Sequence, residues 1–503
     1  MSAAAATGHL GEGPAAELMA SAYRWEVDLA PSLWPGLGLT DLAHSLMLIE
    51  VGVIPPGVGR RLVALLLELH ALPANQFPLD PALGDAFTNR EHWLAERDRG
   101  AAGWFSAGRA RREATTVAYH LAVRSRVLML AGELAAYLRV LLSQAEAHVA
   151  TVMPDYTYLQ QAQPTTLAHY LLGFGSAGLR DLERLQTAFR RANLSPAGGG
   201  STNGSRLPLD RQRLAELLGF DGIVLHPRDA MWQADAPVEV MATVVALLLN
   251  LDRLAEDLQI WCTQEFGLVE LADAHARTSR IMPQKKNPYS LAFVRGLTGE
   301  LIGQLAAMAC VGKTPSGQID NRIFAYREIP RALDLAIATV RLMAGVLGGL
   351  TVDRALMARR AAEGYTQATD LAEVVMQAAG LDYKTAHTIV GRAVRLALAG
   401  SGGNLRMPLT AGLIDTAALE VLGRPLGLTE ETISAALDPV AIVGAREGPG
   451  GAAAQPVRAM LRQIRQAMEA AEEWQRETSR RLADAEARLL ELARSFEKDG
   501  GDG

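Results

Sequence analysis

Two long apolar helical patterns are separated by the segment Thr278-Ser279-Arg280-Ile281-Met282-Pro283-Gln284-Lys285-Lys286-Asn287-Pro288. A hydroxyl, two lysine ammonium groups and a carboxamide are concentrated in this short stretch. A polar loop held between helices can move, and its side chains can face a cleft. The sequence therefore predicts that any chemistry this chain performs is centred on this loop.

The patterns around the loop predict long helices. Apolar residues recur at helical spacing without proline from residue 112 to about 149. Further long helices are predicted over 165–193, 238–266 and 290–311, and a fifth from near Pro330. No alternating strand pattern of useful length appears. The predicted fold class is all-α with a central bundle of long helices, whose broad apolar stripes favour burial by oligomerisation.

Shorter helices are predicted on either side of this bundle. Residues 40–75 carry two helical patterns split by glycine and proline, with Thr40 as the N-cap of the first, and 84–100 read as another helix. After Gly364 the helices shorten again, and residues 457–497 form a charged helical run. We predict three domains, over residues 1–111, 112–365 and 366–503, the last with an extra tail helix.

Composition excludes several classes of function. The 503 residues include 49 basic and 55 acidic side chains, for a net charge of −6, and no basic stripe. A nucleic-acid partner is therefore not expected. Two cysteines, Cys262 and Cys310, form neither a disulfide framework nor a four-cysteine zinc site, and the histidines lack H-E-x-x-H spacing. We predict no metal and no cofactor, since a P-loop and a complete G-x-G-x-x-G unit are also missing.

The sequence also bears on where the protein resides. The first residues lack the basic and apolar regions of a signal peptide, and apolar runs such as residues 244–251 are too short to span a bilayer. We therefore predict a cytoplasmic protein without membrane contact.

Two further motifs each have two interpretations. Residues 198–205, GGGSTNGS, form either a cradle of backbone amides for an anion or a tight connection between helices. The basic cluster of Arg109, Arg111 and Arg112 either binds a carboxylate or is a solvated helix start. The residues alone do not decide between these interpretations.

The loop segment resembles the signature of the fumarase/aspartase superfamily, and the string MPQKKNP at residues 282–288 is similar to that of its argininosuccinate lyase branch. Similar motifs follow in order along nearly the whole chain, at residues 101–103 with 108–111, 157–164, 194–200, 216–221, 253–257, 368–372, 390–392 and 437–439 with 449–451. The resemblance implies a three-domain helical homotetramer with a twenty-helix core. Each active site would combine motifs from three subunits.

The resemblance also implies roles for individual residues. Family enzymes break a C–N or C–O bond on a succinyl group by removing a proton beside a carboxylate, which requires a base and groups that hold the growing negative charge. The family's serine base falls at Ser279, and its carboxylate-holding positions at Lys285, Asn287 and Thr157. The predicted substrate is a small molecule that carries a carboxylate. Four neighbouring motif positions complete its predicted binding site, namely Gln160, Arg109, Arg112 and Arg280.

Several positions depart from the family pattern. Tyr158 stands where the family has a catalytic histidine, and Ala292 where it has the paired glutamate. Tyrosine can donate a proton, but its ordinary pKa near ~10 makes it a different acid at neutral pH. Arg112 replaces a carboxylate-binding asparagine, and Phe87 replaces a further histidine.

The run that grips the amino-acid end of argininosuccinate in the family has also changed. Residues 320–328 read DNRIFAYRE, with Asp320, Ala325 and Glu328 in place of tyrosine, glutamine and lysine. Argininosuccinate is therefore not the expected substrate. Three interpretations stay open: a lyase with a different substrate, in specialised metabolism; a repurposed addition, cyclisation or isomerisation enzyme; and an inactive structural homologue.

Overall fold

The N-terminal part of the chain is helical from its first described residues. The computed structural model describes residues 12–318 and 320–498, the side chains of Asp320 and Asn321 excepted. Its first helices are α1 (Ala16–Leu18), α2 (Arg24–Glu50), α3 (Pro56–Ala71), α4 (Ala86–Arg97) and α5 (Arg99–Ala102), with a π-helical turn at Met19–Tyr23 and a 3-10 turn at Pro81–Leu83.

Two predicted boundaries in this region are wrong. Thr40 is not an N-cap, because it lies inside α2, where its hydroxyl donates to the Gly36 carbonyl at 2.7 Å. Packing on α3 and on later helices stabilises α2 despite Pro31 and Pro35 in its interior. The predicted helix over 84–100 is two helices, because Asp98 leaves the helical conformation and its carboxylate caps the start of α5.

Five long helices form the centre of the molecule: α6 (Arg111–Ala147), α7 (Leu167–Ala192), α10 (Asp235–Trp261), α11 (Tyr289–Gly312) and α12 (Asp320–Gly348). Helix α6 packs against α7 and α12, and α10 packs against α7, α11 and α12. The predicted all-α class with a central bundle of long helices is confirmed. By length and composition α6 alone among the described helices could cross a membrane, but 56% of its most apolar window is buried inside the protein.

The start of α12 was predicted too late. The helix begins at Asp320, and Pro330 lies in its interior. The residues before the proline are held by tertiary packing, since Ala325, Tyr326 and Ile329 are buried and the Tyr326 hydroxyl lies 2.5 Å from that of Thr116 on α6. Packing of this face outweighs the hydrogen bond that proline cannot donate.

Short strands and helices connect the long ones. The strands pair as β1 (Val152–Thr157) with β2 (Gln160–Thr166), β3 (Leu194–Ser195) with β4 (Gly222–Ile223), β5 (Val269–Glu270) with β8 (Thr351–Val352), and β6 (Arg277–Thr278) with β7 (Lys286–Asn287). Only the β3–β4 pair is parallel among these. The connecting helices are α8 (Arg211–Leu217) and α9 (Pro227–Trp232), with a 3-10 turn at Asp273–His275.

The C-terminal region contains α13 (Arg354–Ala361), α14 (Ala368–Ala379), α15 (Tyr383–Gly400), α16 (Ala411–Leu422), α17 (Glu430–Ala436), α18 (Pro439–Gly444) and α19 (Ala454–Lys498). Helices α14 to α17 enclose a small core of their own, which includes Leu371 and Ile389. In contrast, α19 packs on α3, α6 and α7, and its Leu461 and Ile464 belong to the main core. The tail helix thus shares the core of the bundle, and the three-domain division stays a prediction.

Candidate active site

The signature loop is the tip of a small hairpin closed by β6 and β7. Thr278 pairs with Lys286, and the Asn287 side-chain amide donates to the Arg277 carbonyl at 2.9 Å. Ser279 opens the tip and is partly exposed. Its Oγ accepts hydrogen bonds from the backbone N–H groups of Met282 at 3.0 Å and Ile281 at 3.3 Å. The serine oxygen therefore lies where two backbone dipoles stabilise negative charge.

The basic side chains of the loop differ in their partners. The Lys286 ammonium donates to Asp273 at 2.7 Å and to Glu270 at 2.8 Å, and both carboxylates raise its pKa. Lys285 and Arg280 are exposed, and neither side chain has an ion pair within the described residues. These two cations, rather than Lys286, are available to an anionic ligand.

A cleft of about 1240 Å³ opens beside the loop. Its walls include Lys285, Asn287 and Gln284 from the loop, together with Cys262 and Glu270 from the bundle side. The predicted carboxylate-holding groups of the loop, Lys285 and Asn287, thus face a common space large enough for a small molecule.

Thr157, Tyr158 and Gln160 lie at the far end of the β1–β2 hairpin. Thr157 pairs with Gln160, and the connecting residues Tyr158 and Leu159 both have positive φ, +54° and +57°. The Tyr158 side chain is 98% exposed. In the part of the chain that the structure describes, the side chains of these three predicted site residues make no hydrogen bond or ion pair. The tip therefore projects away from its own subunit.

Arg109 is not placed to bind a substrate. Its side chain is 1% exposed and lies 2.7 Å from Asp41, which also pairs with the buried Arg90. The guanidinium also lies over the Phe105 ring, with its Cζ 4.7 Å from the ring centroid. Because a ligand could reach Arg109 only by breaking this buried network, the structure does not support the predicted substrate-binding role of Arg109.

Arg112 already has a carboxylate partner in this chain. Its two terminal nitrogens donate to the two oxygens of Glu26 at 2.6 and 2.8 Å, and both side chains are largely buried. The neighbouring Arg111 is 3.2 Å from Asp85. A bidentate pair of this kind satisfies the guanidinium internally. A substrate carboxylate would have to compete with Glu26, so the structure does not support the predicted binding role of Arg112.

The glycine-rich loop does cradle an anion, but the anion is the chain's own Glu113. The N–H groups of Gly198 and Gly200, both at positive φ, donate to the two Glu113 oxygens at 2.7 and 2.6 Å. Burial raises the pKa of Glu113 to about 7, against the opposing effects of Gly198, Arg109, Gly200 and Arg211. Both interpretations of residues 198–205 therefore apply. The backbone amides bind an anion, and because that anion is Glu113 of α6, the same contact connects the loop to the helix.

The remaining predicted residues lie at the start of α12. Glu328 is mostly buried and accepts from Arg331 Nε at 2.8 Å. The side chain of Asp320 lies outside the described residues. Within the described ranges, no hydrogen bond or ion pair joins any two of the signature loop, the hairpin tip and the start of α6. Within the described part of one subunit, these three segments therefore have no direct polar contact with one another.

The fold and the loop together define a class of protein. The family model described as "Lyase" matches residues 43–303, and the model described as "Argininosuccinate lyase C-terminal" matches residues 365–444. The chain belongs to the argininosuccinate lyase branch of the fumarase/aspartase superfamily, as the sequence motifs predicted.

Individual relatives agree with this assignment. The argininosuccinate lyase of Methanoculleus marisnigri is 35% identical over 470 residues, which cover 91% of this chain and 92% of the relative. The crystal structure of an EDDS lyase in complex with formate superposes with a TM-score of 0.86 at 28% identity, and covers 97% of both chains. A 3-carboxy-cis,cis-muconate lactonizing enzyme from Pseudomonas putida shares the fold, with a TM-score of 0.70 at 19% identity over 90% of this chain and 99% of that one. The protein is therefore an argininosuccinate lyase-like lyase.

Proposed function

We propose that the protein eliminates an amine or alcohol from a succinyl-type carboxylate other than argininosuccinate, with Ser279 as the base. The observation that carries this proposal is the state of the signature loop. Its serine and Lys285 are retained and unpaired with other side chains, and Asn287 faces the same cleft as Lys285. The similarity to an EDDS lyase supports a lyase whose substrate is not argininosuccinate.

In the proposed reaction, Ser279 first releases its hydroxyl proton to solvent, and its negatively charged Oγ then takes the proton from the carbon beside the substrate carboxylate. The Ile281 and Met282 N–H groups lower the cost of negative charge on that oxygen before it accepts the proton. The electron pair moves onto the carboxylate, where Lys285, Asn287 and Thr157 hold it. It then forms the new C=C bond as the C–N or C–O bond breaks. An oxygen leaving group departs as an anion or takes a proton from Tyr158, whereas an amine departs neutral, from a nitrogen that is already protonated or takes its proton from Tyr158.

The changes at α12 support a substrate other than argininosuccinate. Glu328 stands in the position of the gripping lysine, and its carboxylate is held by Arg331. A carboxylate at the amino-acid end of argininosuccinate would therefore meet an acidic side chain instead of an ammonium group. We further propose that active sites form between subunits of a homotetramer, because the hairpin tip is exposed and makes no polar contact with the signature loop within the described part of one subunit.

The experiment that tests the reaction compares purified wild type with Ser279→Ala on a metabolite extract. We expect wild type, but not Ser279→Ala, to release fumarate or a related unsaturated acid. Ser205→Ala is the matched control, because Ser205 Oγ also accepts a backbone N–H, from Leu207 at 3.1 Å, in an exposed turn. Tyr158→Phe then tests the acid: retained activity indicates a leaving group that needs no proton.

The same experiment separates the alternatives. A product with the mass of its substrate would indicate an isomerisation or cyclisation, and a product that joins two metabolites would indicate an addition. If wild type changes no metabolite, the chain is an inactive structural homologue and the proposal fails. The cytoplasmic location and the setting in specialised metabolism stay predictions.

A further inference from the structure

Lys286, the second lysine of the signature loop, is held between two carboxylates. Its ammonium nitrogen lies 2.7 Å from a carboxylate oxygen of Asp273 and 2.8 Å from one of Glu270. Among the described residues, neither carboxylate forms an ion pair with any other side chain. The hydrogen bond from Lys286 lowers the pKa of Asp273, and the bonds to both carboxylates raise the pKa of Lys286. We call these three side chains the Lys286 clamp.

The carboxylate end of the clamp is anchored in the packed part of the subunit. Glu270 lies on β5, which pairs with β8 through Val269 and Val352. Val269 and Leu271, on either side of Glu270, are both buried. Asp273 opens the 3-10 turn that follows β5. The two carboxylates therefore offer the loop a fixed point of attachment.

The loop end of the clamp lies next to the residues that face the cleft. At the loop tip, the Lys285 N–H donates to the Met282 carbonyl at 3.1 Å, a bond within the loop itself, and Ile281 is 89% exposed. Lys286 stands between Lys285 and Asn287 in the chain, and both of these border the cleft. Because consecutive Cα atoms are only ~3.8 Å apart, a fixed Lys286 restricts the movement of both neighbours.

We infer that the Lys286 clamp positions the signature loop, so that Lys285 and Asn287 meet a substrate carboxylate. Lys286 is then a positioning residue, and this inference rests on the proposed function for the roles of its two neighbours. A tethered loop spends a larger fraction of its time in the binding arrangement, and the apparent affinity for a ligand scales with that fraction. Because the three side chains of the clamp are partly exposed, dissolved salt weakens it.

Limited proteolysis with trypsin tests the clamp without any ligand. Mass spectrometry follows cleavage of the full-length protein after Arg280, in the exposed loop tip. Because cleavage requires local opening, Lys286→Met should be cut there about fivefold faster than wild type, the upper range for loss of an exposed ion pair, and Lys286→Arg at nearly the wild-type rate. Arg61→Met is the matched control, since it breaks an exposed ion pair of the same length, 2.7 Å to Asp98, between α3 and the start of α5. Equal cleavage rates in Lys286→Met and wild type would overturn the inference.

Malonate binding, measured by isothermal titration calorimetry, separates the position of the loop from its charge. Lys286→Met also removes a positive charge from the wall of the cleft, so weaker binding of this dicarboxylate has two explanations. The double variant Glu270→Gln with Asp273→Asn breaks the clamp but keeps the lysine charge. If charge alone mattered, this double variant would bind malonate more tightly, because two negative charges are gone.

We expect instead that the double variant and Lys286→Met each bind malonate about fivefold more weakly than wild type. Both differences should shrink at about 1 M salt, because salt weakens the clamp of the wild type. Unchanged or tighter malonate binding by the double variant would contradict the positioning role.

The outcomes also distinguish this inference from the proposed reaction. Clamp-dependent cleavage and malonate binding in a protein without Ser279-dependent turnover would retain the clamp and reject the lyase. Ser279-dependent turnover, with the same cleavage rate and malonate affinity in Lys286→Met as in wild type, would retain the lyase and reject the clamp.

Discussion

At the scale of single residues, the candidate site is bordered by charges that the protein pairs internally. Glu113 shows this most directly, because its carboxylate replaces an external anion in the amide cradle of Gly198 and Gly200. Two charge-assisted hydrogen bonds favour the ionised form, whereas burial favours the neutral form. The pKa of about 7 shows that burial has the larger effect.

This balance predicts a specific pH dependence of stability. Between about pH 4.5 and 7 the folded chain retains a proton on Glu113 that the unfolded chain has released, so the contribution of this group to the free energy of unfolding falls as pH rises. The full difference is about 3 kcal/mol. Glu113→Gln removes the ionisable group. Any effect of the amide side chain itself on the free energy of unfolding is the same at each pH. Denaturant unfolding should therefore show that the free energy of unfolding of the variant, relative to that of wild type, is larger at pH 8 than at pH 5. An equal difference at both pH values would contradict this prediction.

The Arg112–Glu26 pair gives a second prediction at this scale. Removal of one partner leaves a largely buried charge, so Arg112→Met and Glu26→Gln should each lower the free energy of unfolding by about 3 kcal/mol. The double variant should lose clearly less free energy of unfolding than the sum of the losses of the two single variants, as a double-mutant cycle would measure. If Arg112 instead binds substrate, Arg112→Met would raise KM and leave stability unchanged.

At the scale of elements, the β1–β2 hairpin holds strain that its own subunit does not compensate. Tyr158 and Leu159 take left-handed backbone conformations, which disfavour residues with a Cβ. Both side chains are exposed, so contacts within the subunit do not offset the conformational free energy of the left-handed backbone. Strained residues of this kind cluster at functional sites. The tip is therefore a candidate for contact with a substrate and with another subunit.

Leu159→Gly should relieve part of this strain. Glycine adopts positive φ without a Cβ penalty, so the variant should gain about 1 kcal/mol of unfolding free energy. Leu159→Ala is the control, because it shortens the side chain but keeps the Cβ. If both variants lower stability and weaken assembly alike, contacts of the leucine side chain with another subunit outweigh the strain.

The same elements show how far sequence patterns predict this molecule. The long helices were predictable because their apolar periodicity extends over many turns without proline, as in α6. The starts of α2 and α12 were not, because packing overrides the prolines inside them. The β1–β2 hairpin was missed because Pro154 and Pro164 face each other across it and the burial pattern does not alternate.

The candidate site residues were likewise predictable only where the signal is local in the sequence. The retained loop residues were found from a contiguous motif, and no short motif marks a residue whose role depends on distant partners. Arg109 and Arg112 appeared as a basic cluster because their partners, Asp41 and Glu26, lie far away in sequence. Glu113 and the glycines that hold it are likewise separated by most of two long helices.

At the scale of the whole molecule, the bundle leaves apolar surface uncovered. On α11, Phe293 is 46% and Ile302 43% exposed, and a Cβ added at Gly299 would meet no atom within 4 Å. Small residues beside exposed apolar ones on a long helix allow another helix to approach closely. We propose that this face packs against a second copy in the homotetramer, which would also bring the hairpin tip of one subunit to the signature loop of another.

Shared sites make a quantitative prediction for mixed assemblies. Ser279→Ala removes the proposed base, and Thr157→Ala with Tyr158→Ala removes the hairpin groups, so each homotetramer alone should be inactive. If each site takes Ser279 and the hairpin from different subunits, random reassembly of an equal mixture should restore about one quarter of wild-type activity, because each contribution is intact in half of the subunits. Activity is measured after dissociation, mixing and reassembly, with each variant treated alone as the control. If Ser279 and the hairpin tip act within one subunit, no mixed assembly contains an intact site, and activity stays at zero.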